Sequence, residues 1–444
     1  MQGYSKLNNV VNVYIMRRMT IMGVEIGALG AIIGLLVAIG LIFLKTPPVY
    51  GLIIGALVGG LVGGASLPET VELMIGGAQG MMTAILRILA AGILAGVLIT
   101  TGAAESIAQT IIERIGETRA LFALALATLL LTAVGVFIDI AVITVAPIAL
   151  VIAKKANISK TAILLAMIGG GKAGNVMSPN PNTIAISEAF GSPLTSVMLA
   201  GVIPGLVALF VTYFLAKRLT NKGVHISDSD LKNNDQVNKQ LPSFFSAMTA
   251  PLVAVVLLSL RPLFDVIIDP MIALPVGGLV GSLVMGQVSG ILKQAQFGLQ
   301  KMSNVAILLI GTGTIAGIIQ NSTLGTLLID GVSTLGLPIF LLAPLSGILM
   351  SAATASTTSG AIVASSVFSQ PLLDSGFSAL GGAAMVHTGA TVLDHLPHGS
   401  FFHATGGSVL MGFKERLKLV PYESLIGLVL MLISILLYGV MGIG

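Results

Sequence analysis

Gly169-Gly170-Gly171-Lys172-Ala173-Gly174-Asn175-Val176-Met177-Ser178-Pro179-Asn180-Pro181-Asn182-Thr183 is the stretch on which the fold turns. It sits inside residues 160–186, which otherwise read as one apolar membrane span. The quoted residues cannot continue that helix. Glycine removes side-chain constraint, and Pro179 and Pro181 delete backbone donors and clash with the preceding turn, so the backbone must unwind. Lipid offers bare peptide groups no hydrogen bonds, so unwinding at membrane depth is tolerated only inside protein or beside a wet cavity. A half-helix restarting near Asn182-Thr183 would aim its positive end into that cavity, which favours an anion. Lys172 lies in the same break, and a lysine there is either functional, paired with a helix carboxylate, or snorkelling to the interface. Lys172, Asn175, Ser178, Asn180, Asn182 and Thr183 are therefore candidate substrate-binding residues.

A second break occupies the corresponding place in the other half of the chain. The run Met385–Gly406 contains His387, Thr388, Asp394, His395, Pro397, His398, Gly399 and His403. Imidazole changes charge near neutral pH, and an adjacent carboxylate can share its proton. Asp394 and Asp139 are the acidic residues deepest in the apolar pattern, so Asp394, His395, His398 and Asp139 are candidate proton-coupling residues, with His387 and Thr388 facing the solute. Two more polar interruptions precede the broken helices, one in each half: Gly135–Ile140, and Ser351–Gly360. The second holds Ser356, Thr357, Thr358 and Ser359, whose hydroxyls can bind a carboxylate, a hydroxyl or a cation without a fixed charge in lipid. Both interruptions read as tips of re-entrant hairpins, within 101–159 and 321–376.

Composition sets the class around these breaks. Apolar residues make up 55% of the chain and charged residues 9%, too few charges to coat a soluble shell. Apolar runs long enough to cross about 30 Å of hydrocarbon recur throughout. The pattern predicts spans near 24–44, 49–67, 80–100, 160–186 and 197–216, then 247–266, 271–290, 303–320, 377–407 and 420–442. The chain divides into a polar N-terminal extension at 1–21 with an uncertain start (Met19 and Met22 are alternatives), a first repeat at 22–216, a polar linker at 217–246 and a second repeat at 247–444. The halves match at a nearly constant offset: Leu57-Val58-Gly59 meets Leu279-Val280-Gly281, and Ala95-Gly96 meets Ala316-Gly317. An odd number of spans per half would invert the second repeat. With the linker in the cytoplasm, Lys154, Lys155, Lys160, Lys217, Arg218, Lys222, Lys414, Arg416 and Lys418 fall inside, while Lys6, Arg17, Arg18 and Arg261 fall outside. Arg87 reads as a snorkelling or interdomain arginine. Cysteine is absent, no His-Glu-x-x-His run occurs, and neither a metal nor a nucleic-acid partner is expected.

At the two interrupted helices the sequence resembles the gluconate permease family of the ion transporter superfamily. The resemblance rests on Gly174-Asn175 and Pro179-Asn180-Pro181-Asn182-Thr183-Ile184-Ala185 in the first half, and on Asp394–Gly399 followed by Phe401-Phe402 in the second. It implies an all-α polytopic protein of the bacterial cytoplasmic membrane, a homodimer, importing a sugar acid or hydroxy-carboxylate with protons by an elevator-type movement. Three other readings stay open. Sodium coupling with a dicarboxylate or citrate would suit the hydroxyl-rich tip. An intramembrane hydrolase would use the histidines but lacks an activated nucleophile motif. A receptor or scaffold would have no use for matched polar breaks.

Overall fold

The computed structural model describes residues 25–227, 240–264, 266–334, 336 and 338–444. The N-terminal extension with Arg17 and Arg18, the linker residues 228–239 and the alternative starts lie outside the described residues. Every extended element is a helix: α1 (Ala28–Phe43), α2 (Pro48–Val62), α3 (Leu67–Gly80), α4 (Met82–Thr100), α5 (Ala103–Ile115), α6 (Ala120–Ala133), α7 (Ile138–Lys155), α8 (Lys160–Asn175), α9 (Pro181–Phe190), α10 (Leu194–Ala200) and α11 (Val202–Arg218). After the linker follow α12 (Phe244–Phe264), α13 (Pro270–Val284), α14 (Ile291–Gln320), α15 (Leu324–Thr334), α16 (Leu342–Thr354), α17 (Thr357–Asp374), α18 (Ala379–Gly389), α19 (Ser400–Ser408), α20 (Phe413–Leu417) and α21 (Val420–Ser434), which ends in a π-helical turn at Ile435–Val440.

Residues Met82–Thr100, Leu194–Arg218, Val288–Gln320 and Phe413–Val440 are each long and apolar enough to cross a bilayer, and Ala103–Ile115 with Glu117–Ala133 forms a fifth candidate bent by 101° at Gly116. Shorter apolar helices, α1, α2 and α13 among them, accompany these. The face of α11 that carries Ile203, Leu206, Phe210 and Phe214 is exposed, while Gly205, Ala208, Leu209 and Thr212 on the opposite face are buried. An apolar face turned outward beside a small-residue face turned inward is the pattern of a helix between lipid and protein.

Two compact units emerge, and neither coincides with a sequence half. One comprises Met1–Met82 with Ile307–Ile339, the other Thr83–Ala306 with Phe340–Gly444. In the first unit α1 and α2 pack through their glycines: a Cβ on Gly34 would meet the Gly55 carbonyl at 2.6 Å. In the second, α8 is buried along its whole length, from Lys160 to Asn175, against α6, α7, α11 and α21. Its contact with α6 is backbone to backbone, since a Cβ on Gly170 or Gly174 would strike the carbonyls of Ala125 or Leu129.

The sequence-predicted spans mostly coincide with helices, with informative exceptions. Residues 160–186 divide into α8 and α9 with Val176–Asn180 unwound between them. Residues 377–407 divide into α18 and α19 around Ala390–Gly399. The span expected at 303–320 is the latter part of a 30-residue helix beginning at Ile291. Residues 67–80, expected to be loop, form α3, started by a capping box in which Ser66 accepts from Glu69 N and the Glu69 carboxylate accepts from Ser66 N.

Candidate functional site

Four interruptions build the site, all in the second unit. The first hairpin turns at Val134–Phe137, between α6 and α7, where Gly135 takes a φ of 105°. The second turns between α16 and α17, where Ala355 adopts the left-handed conformation at φ 46° and ψ 44°. A left-handed alanine costs about 1–2 kcal/mol, and it sharpens the turn so that Ser356 can cap α17 by accepting from Ser359 N. Gly399 of the second broken helix lies against this tip, and a Cβ there would meet the Ala355 carbonyl at 2.5 Å.

The first break is organised by Asn180. Its Oδ1 accepts from Thr183 N and from the Thr183 hydroxyl, capping α9, while its Nδ2 donates to the Asn175 main-chain and side-chain oxygens at 2.7 Å. The polar atoms of Asn180 and Thr183 are thus engaged within the break itself. Those of their neighbours are not: Asn175 Nδ2, Ser178 Oγ and Asn182 Oδ1 are buried without a hydrogen-bond partner, as is His387 Nε2 on α18. Burying an unmatched polar group costs about 1–3 kcal/mol. Three of these groups flank or lie in one unwound segment, where they suit a polar solute.

Lys172 joins the two broken helices. Its ammonium is fully buried and lies 2.6 Å from Asp394 Oδ1, 2.6 Å from the Thr391 carbonyl and 3.0 Å from His395 Nδ1. The other carboxylate oxygen, Asp394 Oδ2, accepts from the Thr357 hydroxyl at 2.5 Å, in the first turn of α17 where the helix dipole favours an anion. His395 Nε2 lies 3.0 Å from the Val420 carbonyl, which can only accept, so this nitrogen carries a proton. Nδ1 faces both the Lys172 ammonium at 3.0 Å and Asp394 Oδ1 at 2.9 Å. The network joins one ammonium, one carboxylate and one imidazole, all buried.

Not every candidate converges here. Asp139 is half-buried in the first turn of α7, where its carboxylate accepts from Ile140 N. The expected histidine cluster disperses, because the turn after Pro397 carries the chain outward. His387 and His395 are buried, whereas His398 and His403 are exposed, and His403 Nε2 bonds the Pro397 carbonyl. Thr388 returns its hydroxyl to its own helix at the Ala384 carbonyl. Ser356 is a cap, and Ser359 supplies the N–H it accepts. Thr358, beside Thr357 in the first turn of α17, is half-buried. Among the described residues no group of three or more His, Cys, Asp or Glu is placed to hold a metal.

Several partners were not anticipated from the sequence. The Val420 carbonyl and the Ser424 hydroxyl, from α21, both meet His395. Glu423 on the same helix is buried against Arg416, whose guanidinium also lies 4.8 Å from the Phe402 ring centroid. Arg87, read from the sequence as a snorkelling or interdomain arginine, binds Asp269 with two nitrogens and pairs with Glu188. Glu423 within an otherwise apolar helix was the available signal; the others become partners only through packing.

The buried helices, paired breaks and internally neutralised charges define a multi-pass, all-helical membrane protein whose polar site lies within the protein. The chain belongs to the GntP family of permeases, whose profile it matches over residues 19–441, and the gluconate permease resemblance read from the two breaks is thereby confirmed. This is a family of transporters, not of enzymes. A protein of Haemophilus influenzae described as an uncharacterized transporter is 62% identical over 94% of this chain and 99% of its own length. The high-affinity gluconate transporter of Escherichia coli K12 is 24% identical over 90% of this chain and 96% of its own. The D-serine transporter DsdX of Escherichia coli O6:H1 is 25% identical over 65% of this chain and 69% of its own. Among solved structures, the YdaH transporter of Alcanivorax borkumensis shares the fold with a TM-score of 0.63 at 16% identity, covering 82% of this chain and 87% of that one.

Proposed function

We propose that this permease imports a small hydroxylated carboxylate, a gluconate-like sugar acid or a related hydroxy-acid, together with a proton across the bacterial cytoplasmic membrane. The observation that supports it most is the buried Lys172–Asp394–His395 network beside the unpartnered Asn175 Nδ2, Ser178 Oγ and Asn182 Oδ1. Asn175 stands one turn from Lys172 on α8, within reach of a solute held by its ammonium. The solute carboxylate takes the place of Asp394 at Lys172, and a proton neutralises the displaced aspartate. The loaded site then holds an ammonium, a carboxylate anion and a neutral acid, so its net charge is the same as before the solute entered. One proton per carboxylate avoids a net buried charge, which costs several kcal/mol in the membrane interior. Thr357 keeps its bond to the protonated acid, and Ser178 and Asn182 receive the hydroxyls.

In this reading the two hairpins and the two broken helices move the solute as one body, elevator-fashion, within a homodimer built from inverted repeats, with the central linker in the cytoplasm. Uptake of labelled D-gluconate into proteoliposomes tests it. Transport at wild-type rates by both Asp394→Asn and Lys172→Ala would remove the assignment, and uptake abolished by replacing sodium with choline would transfer coupling from the proton to sodium.

One observation favours a second solute. A lysine already paired with an aspartate complements a zwitterion with no added proton: a hydroxylated amino acid could offer its carboxylate to Lys172 and its ammonium to Asp394. Uptake of D-serine without movement of protons would select that reading.

A further inference from the structure

His395 has two sides, and only one faces the ion pair. Nδ1 meets Lys172 and Asp394, while Nε2 points away towards α21, lying 3.0 Å from the Val420 carbonyl and 3.2 Å from the Ser424 hydroxyl. A main-chain carbonyl cannot pass a proton on, but a hydroxyl donates and accepts. Ser424 is half-buried, whereas His395 is fully buried, so the hydroxyl is the first group on this line with access to water. It stands early in α21, just after the exposed Lys414 and Lys418 of the α20 segment. That segment packs on the start of α8 and of the polar linker: Lys160 Nζ donates to the Leu410 carbonyl, and Glu415 accepts from Val224 N. By the excess of basic residues this is the cytoplasmic face.

We infer that His395 and Ser424 form the route by which the coupling proton leaves Asp394 for the cytoplasm. The inference rests on the proton-coupled reading above. The proton added to Asp394 Oδ1 crosses 2.9 Å to His395 Nδ1, giving an imidazolium. Its Nε2 proton passes to Ser424 Oγ as the hydroxyl releases its own proton to water. The imidazole is left neutral with the proton on Nδ1, and the starting tautomer returns when Nδ1 loses that proton to water and Nε2 regains one. No bond between heavy atoms changes, and one proton is moved. Lys172 and Asp394 are the charged groups that face the ring; Glu423, the neighbouring carboxylate on α21, is held by Arg416. Ser424 is a positioning and relay residue here and touches no solute.

The test compares two modes of transport by the purified protein in proteoliposomes, with D-gluconate as probe and a pH-sensitive dye inside. Net uptake must release a proton in every cycle, whereas counterflow between gluconate on both sides returns the loaded carrier and needs no release. Ser424→Ala is expected to slow net uptake and lumenal acidification about tenfold or more while counterflow stays within about twofold. Ser424→Thr, which keeps the hydroxyl, is expected to restore both, and retained counterflow shows that the variant is folded. Acidification by wild-type protein that Ser424→Ala leaves at full rate would overturn the route while leaving proton coupling intact. Gluconate uptake by wild-type protein without acidification would overturn proton coupling and the route with it.

Discussion

Lys172 illustrates how one buried charge dictates its neighbours. With no exposure to water it must be matched inside the protein, and Asp394, Thr391 and His395 surround it within hydrogen-bond distance. Removing one member of a buried pair typically costs about 3–5 kcal/mol because the partner is stranded. Lys172→Met is therefore expected to lower the melting temperature in detergent and abolish uptake. The double variant Lys172→Met/Asp394→Asn should recover most of the stability and none of the transport. Measuring unfolding and uptake on the three proteins separates the two roles, and full stability in the single variant would contradict the pairing. Arg416 and Glu423 make a second buried pair away from the ion network. Glu423→Gln should cost a similar amount of stability, about 3 kcal/mol, read by thermal unfolding.

The breaks are made by local chemistry that acts at the scale of elements. Pro181 begins α9 where its missing donor is harmless, and Asn180 caps it. Asn180→Ala should cost about 1 kcal/mol from the lost cap and loosen the bond that shapes the Asn175 side chain. The expected result is weaker solute binding with a modest fall in melting temperature, checked by thermal shift across gluconate concentrations. The α6–α8 contact is less forgiving. Gly174→Leu would insert a side chain against the Leu129 carbonyl and drive the helices apart, with loss of folded protein or of uptake as the measured outcome. Asp269, which caps α13, is tied by Arg87 to α4, and Glu188 extends the same link to α9. Partial burial raises the Asp269 carboxyl, but the Arg87 hydrogen bonds, the Met271 N–H and the Arg87 charge together hold it below its usual range. A group whose pKa is lowered by folding contributes stability above its unfolded value and loses it as the pH falls through the folded one. Melting temperatures should thus drop on the acid side of the ordinary aspartate range, and that part of the decline should vanish in Asp269→Asn.

At the scale of the molecule, the four interruptions were legible because glycine, proline and hydroxyl clusters break an apolar pattern whatever surrounds them. The hairpin tip at Ser356 and the unwound run at Val176–Asn180 are examples. The grouping of spans was not legible. Each compact unit takes residues from before and after the central linker, so Ile307–Ile339 joins Met1–Met82 while the rest of the second half joins Thr83–Ala306. Apolar periodicity says that a helix has a partner and is silent on which one. The same limit applies to the histidines. Adjacent in sequence, they separate because Pro397 and Gly399 turn the chain, leaving His395 inside and His398 outside.

By itself the sequence determined that this protein lives in a bilayer, that helices come undone at four polar points, and that Lys172, Asp394 and His395 stand at those points as candidates. Those are local facts, set by the free energy of peptide and charge in hydrocarbon. The tertiary structure alone decided that Lys172 meets Asp394 across 222 residues of chain, that Thr357 completes the carboxylate's shell, and that Ser424 meets the imidazole. Pairing at such separation depends on which helices share a wall, and that is fixed by the packing of glycine-lined backbones.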